Sequence, residues 1–212
     1  MSLLLDLLFP RRCYSCGQSG TYLCPSCSSG LTPDPFDPHP PSPLAGRLSL
    51  FPYQAAVRSL ILDLKYSFVS DLVPTLADLA CGSLQHHFPH ILKYWQENAF
   101  SLVPLPLHPF RQNWRGFNQT TLLGKFMAEK LELTYLDILI RAKFTASQTQ
   151  VPKPKRPQNV SQAFKLSSDF THKQGSANFI LFDDVYTTGS TMVSAALSFP
   201  PGSNLWALTL AS

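Results

Sequence analysis

The chain has 212 residues, 44% hydrophobic and 14% charged, which is enough apolar material for one full core plus a small appendage and excludes global disorder. Its 17 Lys and Arg against 13 Asp and Glu leave a net charge of +4, too mild to mark a nucleic-acid-binding protein by itself and equally compatible with plain solubility or with anionic ligands. No apolar run approaches the ~18 residues needed to cross a bilayer. The Leu-rich stretch at residues 1–10 carries Asp6 and stops at Pro10 without a basic leader, so a cytoplasmic chain with no membrane span is expected.

Three regions separate by composition: a cysteine-bearing head (residues 1–32), a proline-dense connector (33–49) and a long remainder (50–212). In the head, Cys13 and Cys16, then Cys24 and Cys27, form two Cys-x-x-Cys pairs seven residues apart. That spacing suits one tetrahedral zinc with four thiolate ligands, a closed and therefore structural site, although a redox pair or disulfides would use the same residue type. So small a head needs metal ligation to supply much of its folding free energy, on the order of 10 kcal/mol. In the connector, six prolines within residues 33–43 remove donors and fix φ, so an extended spacer with neither helix nor paired strand is expected.

Beyond the connector, residues 55–66 place Val57, Leu60, Ile61 and Leu64 on one helical face, and residues 71–84 carry a second helical pattern with Cys81 as a small packed side chain. His86, His87 and His90 follow as a solvated helix end. A compact apolar run at 101–107 predicts a buried strand, followed by a helix over 118–131 with the stripe Leu122, Leu123, Phe126 and Leu131. Further strands are predicted at 135–140, 178–185 and 205–210, with a short helix at 190–198. The alternation points to an α/β fold with a mainly parallel sheet flanked by helices. The polar, basic stretch 141–175 far exceeds an ordinary connection, which suggests a functional loop, a plain surface insertion being the alternative.

The most informative segment runs from Phe179 to Thr191, where an apolar strand leads into Asp183 and Asp184 and then a hydroxyl-rich turn. Thr187, Thr188, Ser190 and Thr191 bring hydroxyls and unpaired backbone N–H groups to a helix start, a setting that favours a phosphate dianion, and Gly189 permits close approach of the backbone. The same residues would also serve as an ordinary helix cap. Successive strand side chains point to opposite faces, so the two carboxylates can share one ligand only if the strand ends at them. With such a bend they would accept hydrogen bonds from two ribose hydroxyls. Lys65 and Arg115 are candidates for neutralising a pyrophosphate; Lys65 would equally suit a helix C-terminus as a surface cation.

The segment Asp183 to Thr191 resembles the phosphoribosyl pyrophosphate motif of type I phosphoribosyltransferases. Val103 to His108, Arg115 to Gln119, then Arg141, Gln148, Arg156, Asn159 and Phe164 resemble, in that order, the competence protein F (ComF, amidophosphoribosyltransferase-like) family, over most of residues 1–30 and 50–212. Lys143 stands where that family often has Arg, and Gln162 where Gly is usual. The resemblance implies a type I phosphoribosyltransferase fold with Asp183 and Asp184 on the ribose, Thr187 to Thr191 around the 5'-phosphate, magnesium on the pyrophosphate, and residues 141–164 closing over the ligand. It also implies a role in DNA uptake and natural transformation, with single-stranded DNA and other uptake proteins as partners. Lys143, Lys153, Lys155, Arg156 and Lys165, and the interleaved Arg111, Trp114, Arg115 and Phe117, have the mixture of cations and aromatics that single strands favour. Two functions follow: a phosphoribosyl transferase, or a non-catalytic single-strand-binding factor that uses the same site to sense the ligand.

Overall fold

The computed structural model describes residues 11–66, 71–107, 118–141, 163–168, 170 and 178–212. Helix α1 (Pro25–Ser28) belongs to the head, and strand β1 (Leu44–Phe51) follows the connector. Three helices come next: α2 (Ala55–Tyr66), α3 (Leu72–His87) and α4 (Pro89–Glu97). After β2 (Ser101–Pro104) come α5 (Gln119–Lys130), β3 (Thr134–Tyr135), β4 (Leu139–Arg141) and β5 (Phe164–Leu166). The chain closes with β6 (Asn178–Val185), α6 (Ser190–Ala196) and β7 (Asn204–Ala211). No helix among the described residues is long and apolar enough to cross a membrane.

Five strands form one parallel sheet in the order β1-β7-β6-β2-β3, as the alternating strand and helix signals predict. Strand β6 lies at its centre, and its run Phe179-Ile-Leu-Phe182 is buried on both faces, which is why it reads as continuous hydrophobicity and not as alternation. Ile180 and Phe182 pack with α2, α3, α4 and α5. Phe179 and Leu181 pack with Met192, Ala195 and Ala196 of α6 and with Leu139 and Phe164 of the β4-β5 hairpin. From β2 the chain moves outward to β3, whereas from β6 it moves outward to β7. The order therefore reverses between β2 and β6, and in open α/β sheets ligands bind in the crevice outside the carboxyl ends of such a strand pair.

Several sequence expectations are corrected. Strand β1 begins inside the stretch read as connector, because the prolines before it mask the alternation of Leu44, Leu48 and Leu50 with Arg47 and Ser49. Gly46 is required there: a Cβ would lie 2.7 Å from the Trp206 ring on β7. The connector is not an unpaired spacer. Asp37 exchanges both backbone hydrogen bonds with Arg47 at 3.0 Å, and Asp34 N donates to Leu50 O. Asp34 and Asp37 both keep a backbone amide, and through them the connector pairs along the outer edge of β1. Helix α4 was not anticipated, although Pro89 opens it and Trp95 is fully buried.

The strand expected at 135–140 is two: β3 pairs with β2, while β4 leaves the sheet for an antiparallel hairpin with β5. That hairpin closes the base of the long insertion, so residues 164–166 are strand and not loop; residues 142–162 lie outside the described residues, including Lys143, Gln148, Lys153, Lys155, Arg156, Asn159 and Gln162. On α5, Leu123, Met127 and Leu131 face the core, but Phe126 is exposed. Val57, Leu60, Ile61 and Leu64 of α2 are all buried as expected, as is Cys81, whose thiol burial pushes up to about 11. His86, His87 and His90 are exposed.

Candidate ligand site at the sheet switch point

Asp183 and Asp184 lie at the carboxyl end of β6. The strand does not end at them: Asp183 pairs with Thr209, Val185 pairs with Ala211, and Tyr186 N still donates to Ala211 O at 2.8 Å. The bend expected after the carboxylates is therefore absent, because β7 extends the ladder beyond them. The alternation of the strand sends the two side chains to opposite faces. Asp184 shares the face of Phe182 and meets α2 and α5; Asp183 shares the face of Leu181 and feels the charge of Arg141 on β4.

Asp184 is 5% exposed and holds two partners. Its Oδ1 is 2.7 Å from Lys65 Nζ, and its Oδ2 accepts a 2.8 Å hydrogen bond from Gln119 Nε2. Burial works against the Lys65 ammonium, but the charge and hydrogen bond of Asp184 outweigh it and lift the Lys65 pKa. So Lys65 is not a surface cation at a helix end: it is anchored beneath the strand tip.

Gln119 was not anticipated as a site residue. Asn118 caps α5 by accepting from Thr120 N at 3.2 Å, and its Nδ2 donates to Leu105 O at 3.3 Å. Thr120 Oγ1 donates to the same carbonyl at 2.7 Å. The start of α5 is thus tied to the end of β2, across the reversal point from β6. This delivers the first helical side chain, Gln119, to Asp184.

Asp183 differs in character. Burial first, then the neighbouring Asp184 charge, push its carboxyl up to about 7, against the opposing effects of Lys65, the Asp184 amide and Arg141. Between roughly pH 4, where a free carboxyl titrates, and about 7, the folded chain holds a proton that the unfolded chain has lost. Stability should therefore fall as pH rises across that window and level off above it. Asp183→Asn, which cannot ionise, is expected to flatten this slope and raise the urea midpoint at pH 8. Identical pH slopes for the two proteins would refute the assignment.

The turn after β6 carries the predicted hydroxyls. Thr187 and Thr188 are exposed, Thr188 Oγ1 lies 3.0 Å from Ser190 Oγ, and Thr191 is half-buried in α6. Gly189 has φ +75°, and a Cβ there would sit 2.1 Å from Tyr186 Oη, so both backbone and space demand glycine. The Tyr186 ring is in turn covered by the Arg47 guanidinium at 4.6 Å, which is also bonded to Asp37. Arg47, too, was missed, since it stands on the strand read as connector. Arg115, together with Arg111, Trp114 and Phe117, lies outside the described residues.

In the head, the sulfurs of Cys13, Cys16, Cys24 and Cys27 all lie within 4.8 Å of one another, and Cys16 and Cys24 are 3.7 Å apart. Zinc–thiolate bonds of about 2.3 Å in a tetrahedron imply sulfur separations near 3.8 Å, so the four residues could hold a metal such as zinc. Backbone donors, Cys16 first and then Cys24, pull the Cys13 thiol down to about 6. Cys27 is lowered by a hydrogen bond with Ser15, but hydrogen bonds with the Cys24 and Cys16 sulfurs take it up to about 11. Thiols so crowded compete for protons, a conflict that a central cation removes. The head is not coreless: Cys13, Leu23 and Cys24 share the core of α2 and α3, Tyr14 Oη donates to Asp63 of α2, and Arg11 reaches Asp71 at 3.8 Å.

Fold and site together define an α/β protein with a parallel sheet, a charged cluster at its reversal point and a four-cysteine head. Competence protein F of Haemophilus influenzae is 35% identical over 96 residues, 43% of this chain and 40% of that protein. Competence protein ComFC of Bacillus subtilis is 38% identical over 107 residues, 49% of this chain and 40% of that protein. DNA utilization protein YhgH of Salmonella typhimurium is 30% identical over 157 residues, 74% of this chain and 66% of that protein. The chain is a homologue of these competence and DNA utilization proteins, as the resemblance in its motifs implies. Its matches to the two competence proteins span about two fifths of their length, and no protein-family model matches it.

Proposed function

We propose that the protein binds phosphoribosyl pyrophosphate at the carboxyl end of β6 and serves in the uptake and use of DNA. The observation that carries this is the Lys65-Asp184-Gln119 cluster beneath the Asp183-to-Thr191 segment, at the point where the sheet order reverses. A buried carboxylate held by two donors is a fixed hydroxyl acceptor for a sugar, and the exposed turn beside it offers the Thr187, Thr188 and Ser190 hydroxyls and backbone amides to a phosphate. Magnesium bound with the ligand would neutralise its pyrophosphate, and Arg115 would add positive charge there. The names of the relatives support the DNA role; single-stranded DNA is the partner in this reading. The four cysteines hold zinc in a closed, structural site in this reading.

Calorimetric titration with phosphoribosyl pyrophosphate and magnesium tests the proposal. Wild type is expected to give saturable heat, and the double variant Asp183→Ala, Asp184→Ala to give none while its circular dichroism stays native. Should that variant not fold, Thr188→Val with Ser190→Ala removes phosphate donors without touching the buried pair. Absence of binding by wild type, or full affinity in a folded variant, overturns the site. Pyrophosphate release on adding a nucleobase would identify a transferase, and ligand-dependent binding of an oligonucleotide without release would identify a sensor.

A further inference from the structure

A turn grips a phosphate well only if its amides and hydroxyls are already in place before the ligand arrives. Thr187 and Thr188 are exposed, so the support for the turn after β6 must come from behind it. Tyr186 supplies it. Its ring rests so close to the Gly189 backbone that a Cβ there would lie 2.1 Å from Oη and 2.6 Å from Cζ. The same ring carries the Arg47 guanidinium 4.6 Å from its centroid. Arg47 is itself pinned: its Nε is 3.2 Å from Asp37 Oδ2, its Nη1 donates to Ser49 Oγ at 3.4 Å, and its side chain is 19% exposed. Ser49 Oγ lies 2.9 Å from Thr209 Oγ1, on the β7 residue that pairs with Asp183. A guanidinium so fixed and so shielded from water holds an aromatic face more strongly than a free surface cation does. We propose that Arg47 is a positioning residue: through the Tyr186 ring it keeps the turn at residues 187–190 in its phosphate-binding shape, and Asp37 of the connector keeps Arg47 in place. This rests on the sugar-phosphate reading given above and names what preorganises its phosphate turn. Arg47 acts through the ring and not on the phosphate, so removing the cation and removing the ring must be one loss and not two.

The experiment measures affinity for ribose 5-phosphate, and amide hydrogen exchange without ligand, in wild type, Arg47→Met, Tyr186→Leu and the double variant. Each single variant should bind about tenfold more weakly, the scale of a shielded contact between a cation and a ring. The double variant should bind no more than about twofold more weakly than the worse single, because the two residues act as one unit. Exchange within residues 187–190 should quicken several-fold in both singles while β1 and β7 keep their protection, a local change that a general loss of stability would not produce. Wild-type affinity in Arg47→Met, losses that multiply in the double variant, or exchange that is unchanged in the turn or rises equally in β1 and β7, overturns the inference while leaving the sugar-phosphate site standing. Wild type that binds no ribose 5-phosphate overturns site and inference together. If Arg47→Met does not fold, Tyr186→Phe against Tyr186→Leu decides: the variant that keeps a ring should bind at least about threefold more tightly, and equal affinity overturns the inference.

Discussion

Cys24→Ser should abolish the proposed zinc binding and unfold residues 11–32, the largest effect expected of any single substitution in this chain. Cys24 is 1% exposed, its sulfur is 3.7 Å from that of Cys16, and its amide donates to Cys13 Sγ at 3.4 Å, so it is placed to serve as both ligand and scaffold. Structural zinc sites contribute on the order of 10 kcal/mol to folding, and the loss of one thiolate from four forfeits much of that. The damage should not stop at the head. Cys13, Leu23 and Cys24 lie in the same apolar cluster as Leu60, Ile61 and Leu64, and Tyr14 is bonded to Asp63, two residues before Lys65. A lower thermal midpoint for the whole chain is therefore expected, along with early proteolytic cleavage within the head and a zinc content near zero by mass spectrometry. One equivalent of zinc retained in the purified variant would rule out the four-cysteine site.

How legible this was in the sequence depended on whether the signal was local. The central strand was legible because Phe179-Ile-Leu-Phe182 followed by two acids has few other readings, and α2 because four apolar residues repeat at helical spacing. The cysteine pairs announce their cluster by spacing alone. Strand β1 was hidden by the prolines ahead of it, although its partner across the sheet, β7, read clearly. The stripe of α5 was misplaced at Phe126 because periodicity gives the width of an apolar face but not which of two adjacent residues the sheet and α3 will cover. That the strand runs on past the acid pair, and that Gln119 approaches Asp184, could not be read at all. Both depend on β7 continuing the ladder past Asp183 and on α5 being tied to Leu105, contacts between segments far apart in the chain.

Removing the ammonium from the buried pair is the second large change. Lys65→Met keeps the length and apolar packing of the side chain but leaves Asp184 charged, buried and held by Gln119 alone. Breaking a buried pair from one side typically costs about 3–5 kcal/mol, because the remaining charge has no counterion and little water. The sign of the pH response separates this cause from lost packing. In wild type the Lys65 pKa is raised by Asp184, so its contribution is fully present below the lysine's unfolded pKa and is lost only as alkaline pH passes the raised value. In Lys65→Met that alkaline loss should vanish. Adding Asp184→Leu to Lys65→Met should recover most of the lost stability while abolishing sugar-phosphate binding, because a matched apolar pair suits the core but offers no acceptor. Urea titrations of the three proteins from pH 4 to 10 check each step. A double variant no more stable than Lys65→Met at neutral pH would mean that the pair does not stand as a coupled buried charge.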